Sequence, residues 1–319
     1  MANEVKTIPG NAFDAKKEEI PDNLPVIMLD RWEEVVSEQE QEDAVWHELK
    51  NAYLTGKIVE GILEAVERTP NENKLIAVTS YKGQKIIIPV SEFTENNSSV
   101  DVQQRILSSM IGAEISFVIL AIHNTDRTAV ASRNKANEIN RTKFYLRTDA
   151  KGQYKIYEGS LVQARVIGVR SGIRPSIRVE IFGVESTIYS REFSWDWVSD
   201  VSSEFAVGDR IMVKITSING RGEDKPLEVQ ASVRLATKNK QEDLIRQMKK
   251  DNLYVGQVLT IRKGTYLLKL SNGVNAMAHS TYSRKSIVKN DTVAFLCSHI
   301  DKKTLVVTGS ITRLIKHNV

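Results

Sequence analysis

One stretch of this chain is written more than once. GQKIIIPVSEF runs from Gly83 to Phe93, and GVESTIYSREF runs from Gly183 to Phe193. Both open on glycine, reach phenylalanine ten residues later and place glutamate just before it. GVNAMAHSTYS, from Gly273 to Ser283, opens the same way without the acidic end. A tyrosine-led strand start precedes each block, in YLTGKIVEGI from Tyr53, YEGSLVQARVIGV from Tyr157 and YVGQVLTI from Tyr254. A further strand follows each, in GAEISFVILAI from Gly112, GDRIMVKITSI from Gly208 and NDTVAFLCSHI from Asn290. Self-similarity at this period marks tandem copies of one small module, and it constrains the fold more than any single motif does.

Within each copy the strands alternate. Val162, Ala164 and Val166 interleave with Gln163 and Arg165, and Ile211, Val213 and Ile215 interleave with Met212, Lys214 and Thr216. Such strands bury one face and wet the other. Short strands separated by Gly, Asn and charged turns suit a small barrel. The expected fold is mainly β: three tandem five-stranded oligonucleotide-binding (OB) type barrels with an N-terminal helix and linker helices. The expected boundaries are a mobile leader at 1–29, an acidic helical segment at 30–52 and a first barrel at 53–135. A basic linker at 136–152, a second barrel at 153–236, a linker helix at 237–252 and a third barrel at 253–319 follow. Asp30 and Glu33 read as a capping box, with Trp32, Val35 and Val36 on one face. Val45, Trp46, Leu49 and Tyr53 resume a helical stripe, and the two tryptophans are expected to anchor the helix on the first barrel.

Charge is uneven. Residues 1–50 hold thirteen Asp or Glu against five Lys or Arg, a net of −8, so the rest of the chain carries +12 within an overall +4. A basic body suits a polyanion, because Lys and Arg neutralise phosphates and release counterions. No run approaches the roughly 18 apolar residues of a membrane span. The start MANEVKTIPG lacks the order of a secretory signal, and the single cysteine, Cys297, fits a reducing compartment. The expected location is the cytoplasm.

From Ala44 to the C-terminus the chain resembles the RNA-binding repeats of the bacterial ribosomal protein S-one family. Trp46, Leu49, Ala52, Gly56, Val59 and Gly61 stand as in the opening of such a repeat. IIIPVSEF, with Pro89 and Ser91, is similar to variant repeats in which proline replaces the third-strand histidine. The Ser194–Trp195 pair, the Val207–Gly208–Asp209 turn and His279 also stand at family positions. The chain departs from the pattern as well. Second-strand aromatics are largely missing from the first two modules, and the aspartate after the fourth strand is kept only as Asp301, with His123 and Asn219 elsewhere. Three modules in place of six imply a shorter paralogue, of the kind a phage or prophage encodes.

The resemblance implies single-stranded RNA binding, which needs planar groups for stacking and cations for phosphates. In the third module Tyr266 stands where the family places a stacking aromatic, flanked by Lys263 and Lys269, and His279 is expected beside it on one barrel face. The alternative is that Tyr266 is cross-strand packing and His279 simply solvated. In the second module Tyr189 takes the histidine's place, and Arg170, Arg174 and Arg178 crowd RSGIRPSIR; a solvated charged hairpin is the alternative. The first module offers Lys74, Tyr81, Lys82 and Lys85, with Pro89 unable to donate or to stack well, and reads as a packing or protein-contact unit. Trp195 is expected in a core, while Trp197 is open.

Catalysis finds little footing. Gly264–Thr–Tyr and Asn219–Gly–Arg–Gly are turns and not a triphosphate cradle. Cys297 and His299 are expected near one face, yet two ligands do not make a zinc site. No cofactor or metal is expected. The leading expectation is a non-enzymatic RNA-binding protein in translation or mRNA handling. Residues 30–135 would dock on a protein such as the ribosomal small subunit, as the resemblance allows, and no membrane partner is expected. The alternatives are a phage structural or assembly protein that uses the same barrels for protein contacts, and the accessory arm of a nuclease.

Overall fold

The computed structural model describes residues 38–69, 74–95, 99–198, 200–222, 225–262, 264–280, 286–302 and 304–318. The expected leader, the Asp30 cap, Trp32 and Lys263 lie outside the described residues. Residues Ala44–Val319 form one compact unit, and the fold described is that unit.

The chain is mainly β, with three five-stranded barrel-like sheets behind an N-terminal helix, as the alternating strands require. The helix α1 (Glu38–Thr55) buries Trp46, Leu49 and Ala52 in the first core. It runs three residues past its expected end and stops at Gly56, whose φ of +63° is the left-handed turn that ends many helices. The first barrel holds β1 (Ile58–Arg68), β2 (Leu75–Tyr81), β3 (Gln84–Pro89), β4 (Glu114–His123) and β5 (Thr128–Ser132). Two short helices, α2 (Val90–Phe93) and α3 (Val100–Ser108), join β3 to β4. The order β1-β2-β3-β5-β4 closes through a parallel β3–β5 ladder and an antiparallel β1–β4 ladder.

After α4 (Arg133–Arg141), the second barrel has β6 (Leu161–Arg170), β7 (Ser176–Ile181), β8 (Val184–Tyr189), β9 (Arg210–Asn219) and β10 (Glu228–Ser232). Its order matches, but no ladder joins β8 to β10. After α5 (Lys240–Arg246), the third barrel has β11 (Leu253–Arg262), β12 (Thr265–Leu270), β13 (Asn275–Ser280), β14 (Thr292–Asp301) and β15 (Val306–Lys316), closed by a parallel β13–β15 ladder.

The written repeat is a repeated hydrogen-bond device. The first strand of each barrel bulges by one residue after Leu63, Val166 or Val258. At each bulge the backbone exchanges two bonds with the turn before the fourth strand. Gly112 N donates to Leu63 O at 2.8 Å, Gly208 N to Val166 O at 2.9 Å and Asn290 N to Val258 O at 2.8 Å. The return bonds run from Leu63 N to Ala113 O, Val166 N to Asp209 O and Val258 N to Asp291 O. Gly112, Gly208 and Asn290 all have positive φ, at +89°, +96° and +72°, which explains the Gly, Gly, Asn series. A bulge sharpens the local bend, as a strand shared across a small barrel needs.

The basic linker, readable from its sequence as either a helix or an extended strap, is helical at its start. Its first residues form α4, capped by Ser132 Oγ, which accepts from Lys135 N at 3.1 Å. Tyr145 then enters the second core and donates to Ile181 O at 2.8 Å. Burial pushes its phenol above the ordinary tyrosine value. The barrels also share cores, since Ile167, the bulged residue of β6, packs into the first one. No described helix is long and apolar enough to cross a membrane.

Candidate nucleic-acid interface

The outer face of strands one to three is the usual ligand face of an OB barrel. Pairing registers define three rungs across it in each barrel. In the second barrel they are Arg165–Glu180–Glu185, Gly168–Arg178–Thr187 and Arg170–Ser176–Tyr189. Counted from the bulge, the third barrel has Gln257–Lys269–Asn275, Thr260–Leu267–Met277 and Arg262–Thr265–His279. The first has Ile62–Ser80–Lys85, Ala65–Val78–Ile87 and Glu67–Ile76–Pro89.

The first rung is spent on docking wherever a preceding barrel is available to cover it. Arg133 of α4, 2% exposed, pairs with the fully buried Glu180 and, at 2.9 Å, with Glu185. Arg165 pairs with Glu180 at 3.2 Å and donates to Ser116 Oγ at 2.6 Å, and Arg210 holds Glu114 at 2.5 Å. Arg133 and Glu180, the buried charges here, persist because each meets an opposite charge, although the Arg133 Nε takes no partner. In the third barrel Lys269 pairs with Asp196 at 2.5 Å. Asn275 donates to Trp195 O at 3.2 Å, and its own N–H donates to Gln241 Oε1 at 3.1 Å. Gln241, from α5, also donates to Asp196 Oδ1 and Gly273 O.

The third rung is open at its two ends, with Ser176 buried and Thr265 half-buried between them. Arg170, Tyr189, Arg262 and His279 are all exposed, and none takes an ion pair or a hydrogen bond among the described residues. Each of these two rungs reads cation, hydroxyl, ring. With strands ~4.8 Å apart, arginine and ring stand roughly 10 Å from each other over a small hydroxyl residue. Such a row can meet a phosphate at one end and a base face at the other. Arg174 is exposed in the β6–β7 loop beside Ile173, which is fully exposed. Arg178, half-buried on the second rung, donates to Ser109 Oγ of the first barrel at 3.3 Å. Burial holds its guanidinium below the usual arginine value, with Glu185 opposing that shift and Arg133 adding to it.

Four of the eight expected residues, Arg170, Arg174, Arg178 and Tyr189, therefore gather on the second barrel. The third-barrel grouping is corrected. Tyr266 lies opposite Ala278, which is buried, and packs against the third core, whereas His279 lies opposite Thr265. Neighbours on a strand point to opposite faces, so Tyr266 and His279 do not share one. Lys269 is engaged by Asp196 and does not flank an open site. Trp195 sits outside the barrel cores at the second–third junction, under the Arg234 guanidinium and donating to Thr237 O. Cys297 points into the core while His299 is exposed, because a bulge separates them. The first barrel's Lys82 and Tyr81 both engage Glu48, and Lys85 pairs with Glu67.

Arg262, Ser176 and Thr265 are additions that sequence reasoning passed over. The signal was ARVIGVR set against GQVLTIR, in which both arginines stand four residues past the bulge valine. Among the described residues no three His, Cys, Asp or Glu side chains gather as a metal would need.

No protein-family model matches the chain. A 4-hydroxy-3-methylbut-2-enyl diphosphate reductase of Clostridium acetobutylicum is 26% identical over 238 residues, 73% of this chain and 34% of that protein. The chain thus spans about a third of that relative's length. A multidomain protein with nucleic acid binding domains from Streptococcus pneumoniae aligns over 81% of this chain and 74% of its own, at 8% identity and a TM-score of 0.18. The Drosophila Unr CSD456 structure aligns over 49% and 63%, at 11% identity and a TM-score of 0.16.

Proposed function

We propose that this chain is a non-catalytic single-stranded RNA-binding protein that acts in translation or mRNA handling in the cytoplasm, as a short relative of the ribosomal protein S-one repeats. The observation that carries the reading is the open cation–hydroxyl–ring rung, present at the same place in the second and third barrels. The first barrel has Glu67, Ile76 and Pro89 there, with no cation and no ring. Single strands suit such rungs because unpaired bases offer their faces, which a duplex hides. Two modest sites on one chain gain affinity through effective concentration.

The first barrel's second and third rungs carry half-buried Ala65, Ile87, Ile76 and Pro89 around buried Val78, with Glu67 at one end, a mostly apolar face that favours a protein contact. That contact fits docking on the ribosomal small subunit. It equally fits the second reading, a phage structural or assembly protein. Fluorescence anisotropy with an unstructured RNA and a matched duplex at about 50 mM salt tests the proposal. Tighter binding to the single strand, weakening steeply with salt, is expected. Equal affinity for both, or none, overturns it.

A further inference from the structure

We infer that Arg133, on the helix leaving the first barrel, is a positioning residue for the polyanion site of the second barrel. It holds the Glu185 carboxylate off the arginine that faces the ligand. The inference rests on the nucleic-acid reading of that face and names its internal regulator. Glu185 belongs to the same face of β8 as Thr187 and Tyr189. It is diagonal to Arg178, which lies opposite Thr187. Diagonal neighbours are about 7–8 Å apart, within reach of two long side chains. Left alone, Glu185 is the natural partner of Arg178. Instead its Oε1 is held by Arg133 Nη2 at 2.9 Å, and the same nitrogen pairs with Glu180.

Arg133 is itself fixed from the first barrel. It donates to Phe93 O at 3.3 Å and lies 5.1 Å from the centre of the Phe93 ring. Arg178 feels the Glu185 charge but makes no direct bond to it, and its own side-chain bond goes to a serine hydroxyl, that of Ser109. A half-buried guanidinium with a weak neutral partner is poised for a phosphate, which makes shorter and stronger bonds to it. The first barrel therefore activates the second barrel's site without carrying a cation–ring rung of its own. Arg133 has no need to reach the ligand, since it is 2% exposed.

The test uses the full chain and two probes, an unstructured RNA and heparin. Arg133→Gln should bind RNA about five- to tenfold more weakly and elute from heparin at lower salt, because Glu185 turns to Arg178. Arg133→Gln with Glu185→Gln should recover affinity to within about twofold of the parent, though the docking bonds remain broken. A purely structural role for Arg133 predicts equal losses in both variants, and that result overturns the inference. So does unchanged binding by Arg133→Gln. If Arg133→Gln does not fold, Arg133→Met with and without Glu185→Gln gives the same comparison with the apolar stem retained. If the parent binds no RNA but the heparin shift and its rescue appear, the RNA reading fails while the role of Arg133 stands.

Discussion

Arg170 and Tyr189 stand on one rung of the second barrel, each paired across the sheet with Ser176. The same rung in the third barrel pairs Arg262 and His279 through Thr265. One geometry is thus built twice from different residues.

Arg170→Ala and Tyr189→Ala are expected to weaken RNA binding in different ways. Loss of the ring should cost about 1–3 kcal/mol for the base it stacks, at any salt. Loss of the arginine should lower the slope of log affinity against log salt by about 0.7, one phosphate contact on a single strand. Titrations at several salt concentrations separate the two. Thermal melts should be unchanged for both, since both side chains are exposed.

His279→Ala and Tyr266→Ala should part in the opposite sense. His279 is exposed, so its removal should lower affinity and leave the melt unmoved. Tyr266 packs on the third core, so its truncation should cost about 1–3 kcal/mol of stability, less than a fully buried ring would. Urea unfolding beside anisotropy checks this. Lost affinity in Tyr266→Ala at full stability would return that ring to the interface.

Gly309→Ala should be among the most damaging single changes in the third barrel. A Cβ there would overlap the Leu296 carbonyl oxygen and press on the Phe295 ring, neither of which can step aside cheaply. Overpacking of this kind costs about 1–3 kcal/mol or more. Gly168→Ala is the control for folding, since the nearest atoms to its Cβ would be those of the Arg178 side chain at ordinary contact, 3.6 Å. Differential scanning calorimetry should show a lowered transition for the first and an unmoved one for the second.

Acid should loosen the third barrel through Asp291. Burial alone would raise this carboxyl, but the N–H groups of Val288 and Asn318 and the His317 ring at 2.9 Å outweigh it and hold it below the usual aspartate value. A carboxyl lowered by folding contributes stability above its unfolded value of about 3.9, and that stability is lost as pH falls through the folded value. Asp291→Asn should therefore be less stable at pH 7 and lose less on going to pH 3. Urea midpoints at the two pH values give the comparison.

The three-fold repeat of strands, turns and linker helices was legible because local chemistry dictates it. Alternating Val and Ile set each strand's inner face, and the Gly83, Gly183 and Gly273 turns need the positive φ that glycine tolerates. Arg170, Arg174, Arg178 and Tyr189 could be picked out because they lie close together in sequence around one hairpin. What the sequence could not give was the face on which a side chain emerges near a bulge. A one-residue insertion inverts the alternation, which hid the rank of Arg262 and set Cys297 apart from His299, whereas Tyr266 and His279 are parted by the unbroken register that puts His279 opposite Thr265. It also could not say which charges were already spoken for. Arg133 and Glu180 are 47 residues apart in the chain, and Lys269 and Asp196 come from different barrels. Only packing one barrel on the next brought them together, and at the buried Arg133–Glu180 contact desolvation makes an unpaired charge too costly to leave.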